Sequence, residues 1–454
     1  MTRKISIFLG ILFFLLLGSS NILASEEITL EESIKIALER SLSVRSADEE
    51  IKVKEFEELS SKADFYPKLS TSYSYSRLDN GTVNDAKYTT YPYNPLTMSH
   101  FPIEISPLEA NTYEFNISAT QPLFTGWRLT ILRDLASLGV NTAKIQKETV
   151  IQDLVLNVKD AYFGILKMEK LKKVARQSVE LLEAQLRVSQ AFYDEGIIAK
   201  NDLLQTEVQM AQARQDMITA TNRVEIAKSL FNTLLRRGLN QEVTVKDILD
   251  YTPVELTLDQ CTERAELNRT EIKEVSLNIR SAEKNVDLTK SKYYPLVTLI
   301  GNYQREADDI LLDADPGEDV DAWTIMVKGE WTFWEWRKKR HDVAAASANM
   351  AKANYLLREV KDNIQLEVKE TYLSLREAEK NIQVAKKAVV QAEENFRMNE
   401  ERYKQQVATS TDVLDALTLL TQARTNYFNA LSEHNIAWAR LERAMGIGYN
   451  AVSK

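Results

Sequence analysis

"KADFYPKLSTSYSYS", residues 62–76, changes character at one dipeptide. Before it the chain is charge-rich and free of proline; after Tyr66-Pro67 a strict alternation begins. Leu69, Thr71, Tyr73 and Tyr75 fall on one side, and Ser70, Ser72, Ser74 and Ser76 on the other. That period of two is the mark of a strand with unlike faces. A near copy, "KSKYYPLVTLIGNYQ", occupies residues 290–304. Twice, then, helical sequence breaks behind the same Tyr-Pro into a single strand.

The copy extends over the whole chain. "ITLEESIKIALE" from Ile28 resembles "LTLDQCTERAEL" from Leu256, and Tyr66-Pro67 recurs 228 residues later as Tyr294-Pro295. "PLFTGWR" ending at Arg128 matches "WTFWEWR" ending at Arg337, a shift of 209. "VKDAYFGIL" matches "VKETYLSLR", Tyr162 falling on Tyr372, and "FYDEGIIAKNDLL" matches "RYKQQVATSTDVL", Tyr193 falling on Tyr403. The reading is an internal duplication, with one repeat at 25–252 and another at 253–454. The drop in the shift falls between the two strands of each half, which gives the first half a longer insert, Leu78 to Asn111, read as an exposed outer loop.

No proline lies between 123 and 252 or after 316, so both stretches allow unbroken helix. In the first, Ile151, Leu154, Val158, Ala161, Ile165, Met168, Leu171, Ala175, Val179, Leu182 and Leu186 recur at steps of three and four. This predicts a long helix with a coiled-coil-like seam over about 128–195, roughly 100 Å at about 1.5 Å per residue. A return helix follows over about 202–236, and a short one runs over about Val44 to Ala63. The second half repeats the set at about 337–405, 412–444 and 270–292.

Four segments alternate: 69–76, 113–120, 297–304 and 323–332. The second sets Tyr113, Phe115, Ile117 and Ala119 against Glu114, Asn116, Ser118 and Thr120; the last sets Trp323, Ile325, Val327 and Trp331 against Thr324, Met326, Lys328 and Glu330. Each is near the length of a membrane-spanning strand with an apolar and a polar face. Half-buried hairpins capping a soluble helical bundle would alternate too. In a bilayer an open sheet cannot stand, and barrels start at about eight strands, so four strands per chain must be pooled between chains. Two chains would supply eight and three would supply twelve; with the polar face turned inward, a twelve-stranded barrel would be a water-filled pore.

Composition narrows the function. Charged residues are 27% and hydrophobic ones 44% of 454 residues, as in folded proteins, and the net charge of -9 leaves no basic footprint for nucleic acid. One cysteine, Cys261, read as a small helix residue, and three histidines make no cluster with metal-ligand spacing. No nucleotide loop or nucleophile triad is present, so the chain is read as no enzyme and as needing no cofactor. At the start, Arg3 and Lys4 precede "ISIFLGILFFLLLG" and then "SSNILAS", the layout of a signal peptide spanning 1–24 and cut after Ala24.

With these features in place, the chain from 28 to 448 resembles the TolC-type outer membrane efflux proteins, most specifically in "YKQQVATSTDVLDALTLLTQARTNYFNAL" from Tyr403 to Leu431. The resemblance implies a mostly α fold with a transmembrane β part. Long antiparallel coiled-coil helices would form a periplasmic α-barrel, and the strands a trimeric 12-stranded β-barrel. Small helices after Thr29 and Thr257, the 238–256 linker and the C-terminus would make an equatorial region. It implies an outer membrane exit duct of a tripartite efflux or type I secretion system, a passive homotrimer in outer membrane lipid. A periplasmic adaptor would join it to an inner membrane pump of the resistance-nodulation-division or ABC type. A trimeric coiled-coil stalk or adhesin with a small barrel anchor is the alternative, but it would not need up-down helix pairs around two separate strand pairs.

The two helix tips, Gly196 to Asn201 and Gln406 to Thr411, would then meet the adaptor, with Gly196, Ala199, Gln406 and Thr409 as contacts. Gln406 stands where the family pattern has glycine, and Ala408 where some members carry arginine. Asp412 and Asp415, three apart, share a helix face. Asp412 reads either as the N-cap of the return helix, accepting from the Asp415 amide, or with Asp415 as part of a trimeric ring of six acids at a periplasmic aperture. The ring would raise their pKa values by mutual repulsion and is the one candidate cation site. Asn201, Asp202 and Tyr403 complete the aperture set that the resemblance implies.

Overall fold

The computed structural model describes residues 27–77, 88–90, 93–94, 99–100, 103–105, 111–307, 309–312 and 320–447. The expected signal peptide lies outside these residues, as does most of the Leu78–Asn111 insert. The elements run α1 (Leu30–Arg40), α2 (Leu42–Ala63), β1 (Lys68–Arg77), β2 (Tyr88–Thr90), β3 (Tyr93–Asn94), β4 (Ser99–His100), β5 (Ile103–Ile105) and β6 (Asn111–Phe124). Then follow α3 (Arg128–Asp194), α4 (Lys200–Leu234), α5 (Leu258–Asn268), α6 (Thr270–Lys290), a 3-10 turn (Ser291–Tyr293), β7 (Leu296–Ala307), β8 (Val320–Glu330), α7 (Lys338–Lys404) and α8 (Ser410–Ala444). The insert, read as plain loop, carries two small antiparallel ladders, β2 with β5 and β3 with β4.

The chain divides into two compact units, each drawing on both halves of the sequence. One comprises Glu49–Ile145 and Lys273–Arg358 and contains the sheet. Its strand order is β1-β6-β7-β8, antiparallel throughout. Directly opposite residues share a face, so Leu69 sits across from Ala119, Tyr73 from Phe115, and Val327 from Leu299. The apolar face is bare: Leu69 is 77% and Trp323 75% exposed. Pro122 lies in a strand paired on both sides, which a missing N–H normally forbids. It is accommodated because β1 pairing stops at Thr120 and the β7 register shifts between Pro122 and Phe124.

Below the sheet, β6 leads into α3 through Gly126 and Trp127, both left-handed (φ 60° and 64°). The corresponding turn after β8 is left-handed at Trp336 and Arg337. The turns are therefore 210 residues apart, as are the helix starts Arg128 and Lys338, and the shift of 209 drawn from the Trp-Arg dipeptides is off by one. Side-chain identity misled there because the tryptophan moved one place along an unchanged backbone.

The other unit holds Gln146–Ile272, the chain from Glu359 onward, and the segment before Glu49. Here α3 from Gln146 on and α7 from Glu359 on (67 residues each in full), with α4 and α8 (35 each), bury part of the predicted seam, while Ile151, Met168, Leu171, Ala175, Val179 and Leu186 are half-buried. Leu154, Val158, Ala161, Ile165 and Leu182 are all buried. Small helices α1 and α5 start with capping boxes, Thr29 with Glu32 and Thr257 with Gln260. Tyr162, fully buried, donates to the Ile28 or Lys246 carbonyl (3.1 and 2.8 Å), beside a parallel bridge between Ile28 and Val245. Burial pushes its phenol up to about 12. Its counterpart Tyr372 accepts from Arg376 (3.2 Å), which also donates to the Val254 and Leu256 carbonyls. In both halves this helix position thus ties down a linker. Cys261 packs with Ile364, Leu375 and Leu441 in the core, and burial raises its thiol pKa.

Candidate functional site at the helix tips

The tips are two reversals with one backbone plan. At the first, Gly196 (φ 69°) ends α3, and the Ile197 amide donates back to the Phe192 carbonyl (2.8 Å). At the second, Gln406 (φ 62°) ends α7, and the Val407 amide donates to the Arg402 carbonyl (2.9 Å). This closure is the Schellman arrangement, which needs a left-handed residue at the turn. Glycine adopts that region freely, whereas an L side chain is strained by about 1–2 kcal/mol. The resemblance to the family made Gln406 a departure in sequence; the backbone is unchanged, and the departure is in strain.

The return helices start differently. Thr409, not Asp412, is the N-cap of α8: its hydroxyl accepts from the Asp412 amide (3.3 Å). The Asp412 carboxylate reaches back and accepts from the Thr409 amide (2.8 Å) and hydroxyl (2.7 Å). The expected bond from the Asp415 amide to Asp412 is replaced by this capping box, with Asp412 at the third helical position. Its hydrogen bonds from Thr409, helped by Arg402, hold the Asp412 carboxyl below the usual carboxylate range in the single chain. Asp412 and Asp415 are both exposed on the same side of α8. At the first tip Ala199 occupies the N-cap with no side-chain bond; Asn201 is exposed and Asp202 half-buried.

Tyr403 lies inside, only 2% exposed, beneath the turn. Its hydroxyl is 3.1 Å from Ser189 Oγ and its ring 5.3 Å from that of Phe192, so it fastens the end of α7 to the end of α3. The Thr206 and Ser410 hydroxyls, 3.1 Å apart, and Thr411 donating to Gln205 (3.2 Å) fasten α4 to α8. Leu182, Met210, Val413 and Leu417 fill the space between, each fully buried side chain contributing about 1.5–3 kcal/mol. The structure thus brings both tips together as one paired end. Gly196, Ala199, Gln406 and Thr409 are on its exposed surface.

Sequence reasoning missed ion pairs far from the tips, one of them buried on both sides. Lys159 and Glu442 meet at 2.6 Å with side chains about one-tenth exposed, beside a cavity of about 500 Å³ lined also by Ile34, Phe163 and Trp438. Arg269 grips Glu367 with both terminal nitrogens (3.1 and 2.7 Å), and Arg443 bridges Asp153 and Glu271 (2.7 and 3.0 Å). Among the described residues no helix is long and apolar enough to cross a membrane, and no group of His, Cys, Asp and Glu could hold a metal.

The sequence model of the outer membrane efflux proteins matches the chain twice, over residues 33–234 and 262–447. The chain belongs to this family. It is 24% identical to outer membrane protein TolC of Vibrio cholerae over 365 residues, 75% of this chain and 78% of that one. It is 23% identical to TolC of Escherichia coli over 362 residues, 75% and 70% of the two chains. The fold is similar to that of the CmeC outer membrane channel of Campylobacter jejuni, with a TM-score of 0.74 and 14% identity over 92% of this chain and 85% of that one.

Proposed function

We propose that this outer membrane efflux protein is a passive exit duct, with its helical part in the periplasm. It would serve a tripartite efflux or type I secretion system. The observation that carries this is the four-stranded sheet. Its apolar face is exposed along β1 and β8 and half-buried along most of β6 and β7, and among the described residues the edge strands β1 and β8 each pair on one side only. Such a sheet is stable in a bilayer only when closed, and four strands are too few, so a homotrimer with twelve is the smallest arrangement that leaves a water-filled lumen. Nothing in the chain's chemistry supplies energy, so transport is driven by an inner membrane pump, reached through a periplasmic adaptor that docks at the paired tips. Asp412 and Asp415 form an acidic ring there that favours cations. Neighbouring carboxylates in the trimer oppose the lowering that the capping box imposes on Asp412.

Protein purified from outer membranes and added to planar bilayers should give discrete conductance steps, with a detergent-corrected mass of three chains. A stable monomer without conductance would refute the duct. Photocrosslinkers at Ala199 and Thr409 should capture a periplasmic protein; capture only from outside the cell would refute the orientation.

A further inference from the structure

The second repeat carries a basic run that the first lacks. "WTFWEWRKKRH", residues 331–341, follows β8, makes the left-handed turn and opens α7. Arg337, Lys338, Lys339 and Arg340 stand in succession, in a chain whose net charge is -9. Shifted back by 210, the same places hold Trp127, Arg128, Leu129 and Thr130, and the turn there is left-handed all the same. The run is therefore not needed for the turn. Nor does it serve the helix: α7 has no acid in its first turn, and cations at a helix N-terminus oppose its dipole. Arg337, Lys338 and Arg340 are exposed and have no ion-pair or hydrogen-bond partner among the described residues. Lys339, half-buried, donates to the Thr332 carbonyl and lies 5.9 Å from the centre of the Tyr293 ring. Of the acids beside the run, Asp342 is 3.5 Å from Lys292 and Glu335 is half-buried.

The surroundings of the run say what it meets. Trp331, Phe333, Trp334 and Trp336 are all exposed, Trp336 by 85%, and they continue the exposed apolar side of β8, Trp323, Ile325 and Val327. Trp331 pairs with Phe333 at 6.1 Å, Trp334 meets Trp336 edge-on at 5.8 Å, and Trp331 Nε1 donates to the Tyr293 carbonyl (3.0 Å). Aromatic side chains at a strand end mark the level where hydrocarbon gives way to headgroups. A helix rises about 1.5 Å per residue, so the four bases follow within about 6 Å of that level. We propose that Arg337, Lys338 and Arg340, flanked by Trp334 and Trp336, bind the headgroups of acidic phospholipids in the leaflet that faces the periplasm. The forked donors of arginine match a phosphodiester, and lysine adds a mobile point charge. This rests on the proposed duct for its orientation in the membrane and adds to it a lipid preference carried by the second repeat, since the first offers Arg128 alone.

The test reads which lipid surrounds the protein. The full-length protein is reconstituted in phosphatidylcholine vesicles with rising fractions of brominated phosphatidylglycerol, and the quenching of tryptophan fluorescence is compared with that by brominated phosphatidylcholine. Trp331, Trp334 and Trp336, three of the six tryptophans, report from the run itself. A base beside an acidic bilayer surface favours binding by about five-fold, so three free bases should give phosphatidylglycerol a preference of at least about ten-fold at low salt. The preference should shrink as salt rises, because exposed charges are screened. The Arg337→Gln/Lys338→Gln/Arg340→Gln protein should lose it, and Arg337→Lys/Arg340→Lys should keep it. Glutamine suits position 337 because Gln406 already holds a left-handed backbone. Lys380→Gln/Lys386→Gln/Lys387→Gln, which removes three exposed charges from another part of α7, should leave the preference unchanged.

A preference that survives in the triple variant at 337, 338 and 340, or that falls equally in the control, overturns the assignment to this run. Wild-type protein that takes both lipids equally, or whose preference salt does not move, overturns it without any variant. Inorganic phosphate, added at fixed ionic strength, should not displace phosphatidylglycerol; displacement would show a site for soluble anions and end the lipid assignment. Each of these failures leaves the duct standing when the same preparation is trimeric and conducts. A monomeric preparation without conductance overturns the duct, and with it the orientation on which this assignment rests.

Discussion

Replacing Gln406 with glycine should tighten the second tip. At φ 62° the residue sits where an L side chain costs about 1–2 kcal/mol. Its exposed carboxamide makes no hydrogen bond among the described residues that would offset this. Glycine removes the strain and gives back about 0.5–1 kcal/mol through the greater freedom of the unfolded chain. The net gain is about 0.5–1 kcal/mol, confined to the reversal. Because a local gain is diluted in a global melt, the assay is amide hydrogen exchange at Val407, whose N–H closes the turn. Exchange should slow about two- to five-fold. Gly196→Ala is the mirror experiment. No heavy atom lies within 4 Å of the added Cβ, so only the backbone resists, and Ile197 should exchange about five-fold faster for about 1 kcal/mol. Faster exchange at Val407 in the Gln406→Gly protein would refute the strain argument.

Other outcomes follow from the same geometry. Asp415→Asn should weaken divalent-cation block of single-channel current without moving the melt, since its carboxylate has no bonded partner among the described residues; Asp412→Asn should weaken block and also lower the melt by disturbing the capping box. Burial holds the His434 pKa below its ordinary 6.5. The folded state therefore resists a proton that the unfolded chain accepts, and stability should fall as pH drops below about 6.5. His434→Leu should flatten that slope in pH-dependent melts. Lys159→Met, which strands Glu442 in the interior, should cost about 3 kcal/mol or more, and adding Glu442→Leu should recover most of it in chemical denaturation.

Much of this was legible in the sequence because the signals were local. Pro67 and Pro295 forbid helix, and alternation begins next to them, so strand positions could be read to within a few residues. The absence of proline over 123–252 allowed α3 and α4, and Gly196 marked the first turn. The second turn was harder, since Gln406 carries no left-handed preference and only the repeat located it. The N-cap was misassigned although Thr409 and Asp412 have the spacing of a capping box; Asp412 is itself a good cap, and four candidate residues in a row, Thr409 to Asp412, cannot be ranked without the backbone. The Lys159–Glu442 pair left no signal, because partners 283 residues apart share no periodicity. Chemistry built by tertiary contact was invisible; chemistry built by turns was not.

The sharpest difference between the halves is one side chain at the first tip. Ala199 and Thr409 both have extended N-cap backbones, φ −73°, ψ 153° and φ −86°, ψ 160°. Each is followed at the third helical position by an aspartate, Asp202 or Asp412. The first tip thus has every part of the capping box except the hydroxyl. Ala199→Thr should complete it, with the new hydroxyl accepting from the Asp202 amide and the Asp202 carboxylate accepting in return. The gain expected for a cap of this kind is about 1 kcal/mol. It would slow exchange of the first-turn amides of α4 about five-fold and leave α8 unchanged. If the duct opens by rearranging its paired tips, the substitution should also lower open probability in bilayers, because the cap bonds favour the tip conformation described here. Slower exchange with unaltered gating would show that α4 keeps its first turn intact during opening, moving as a rigid rod. Unchanged exchange would show that Asp202 is held elsewhere and that the likeness of the two tips stops at the backbone.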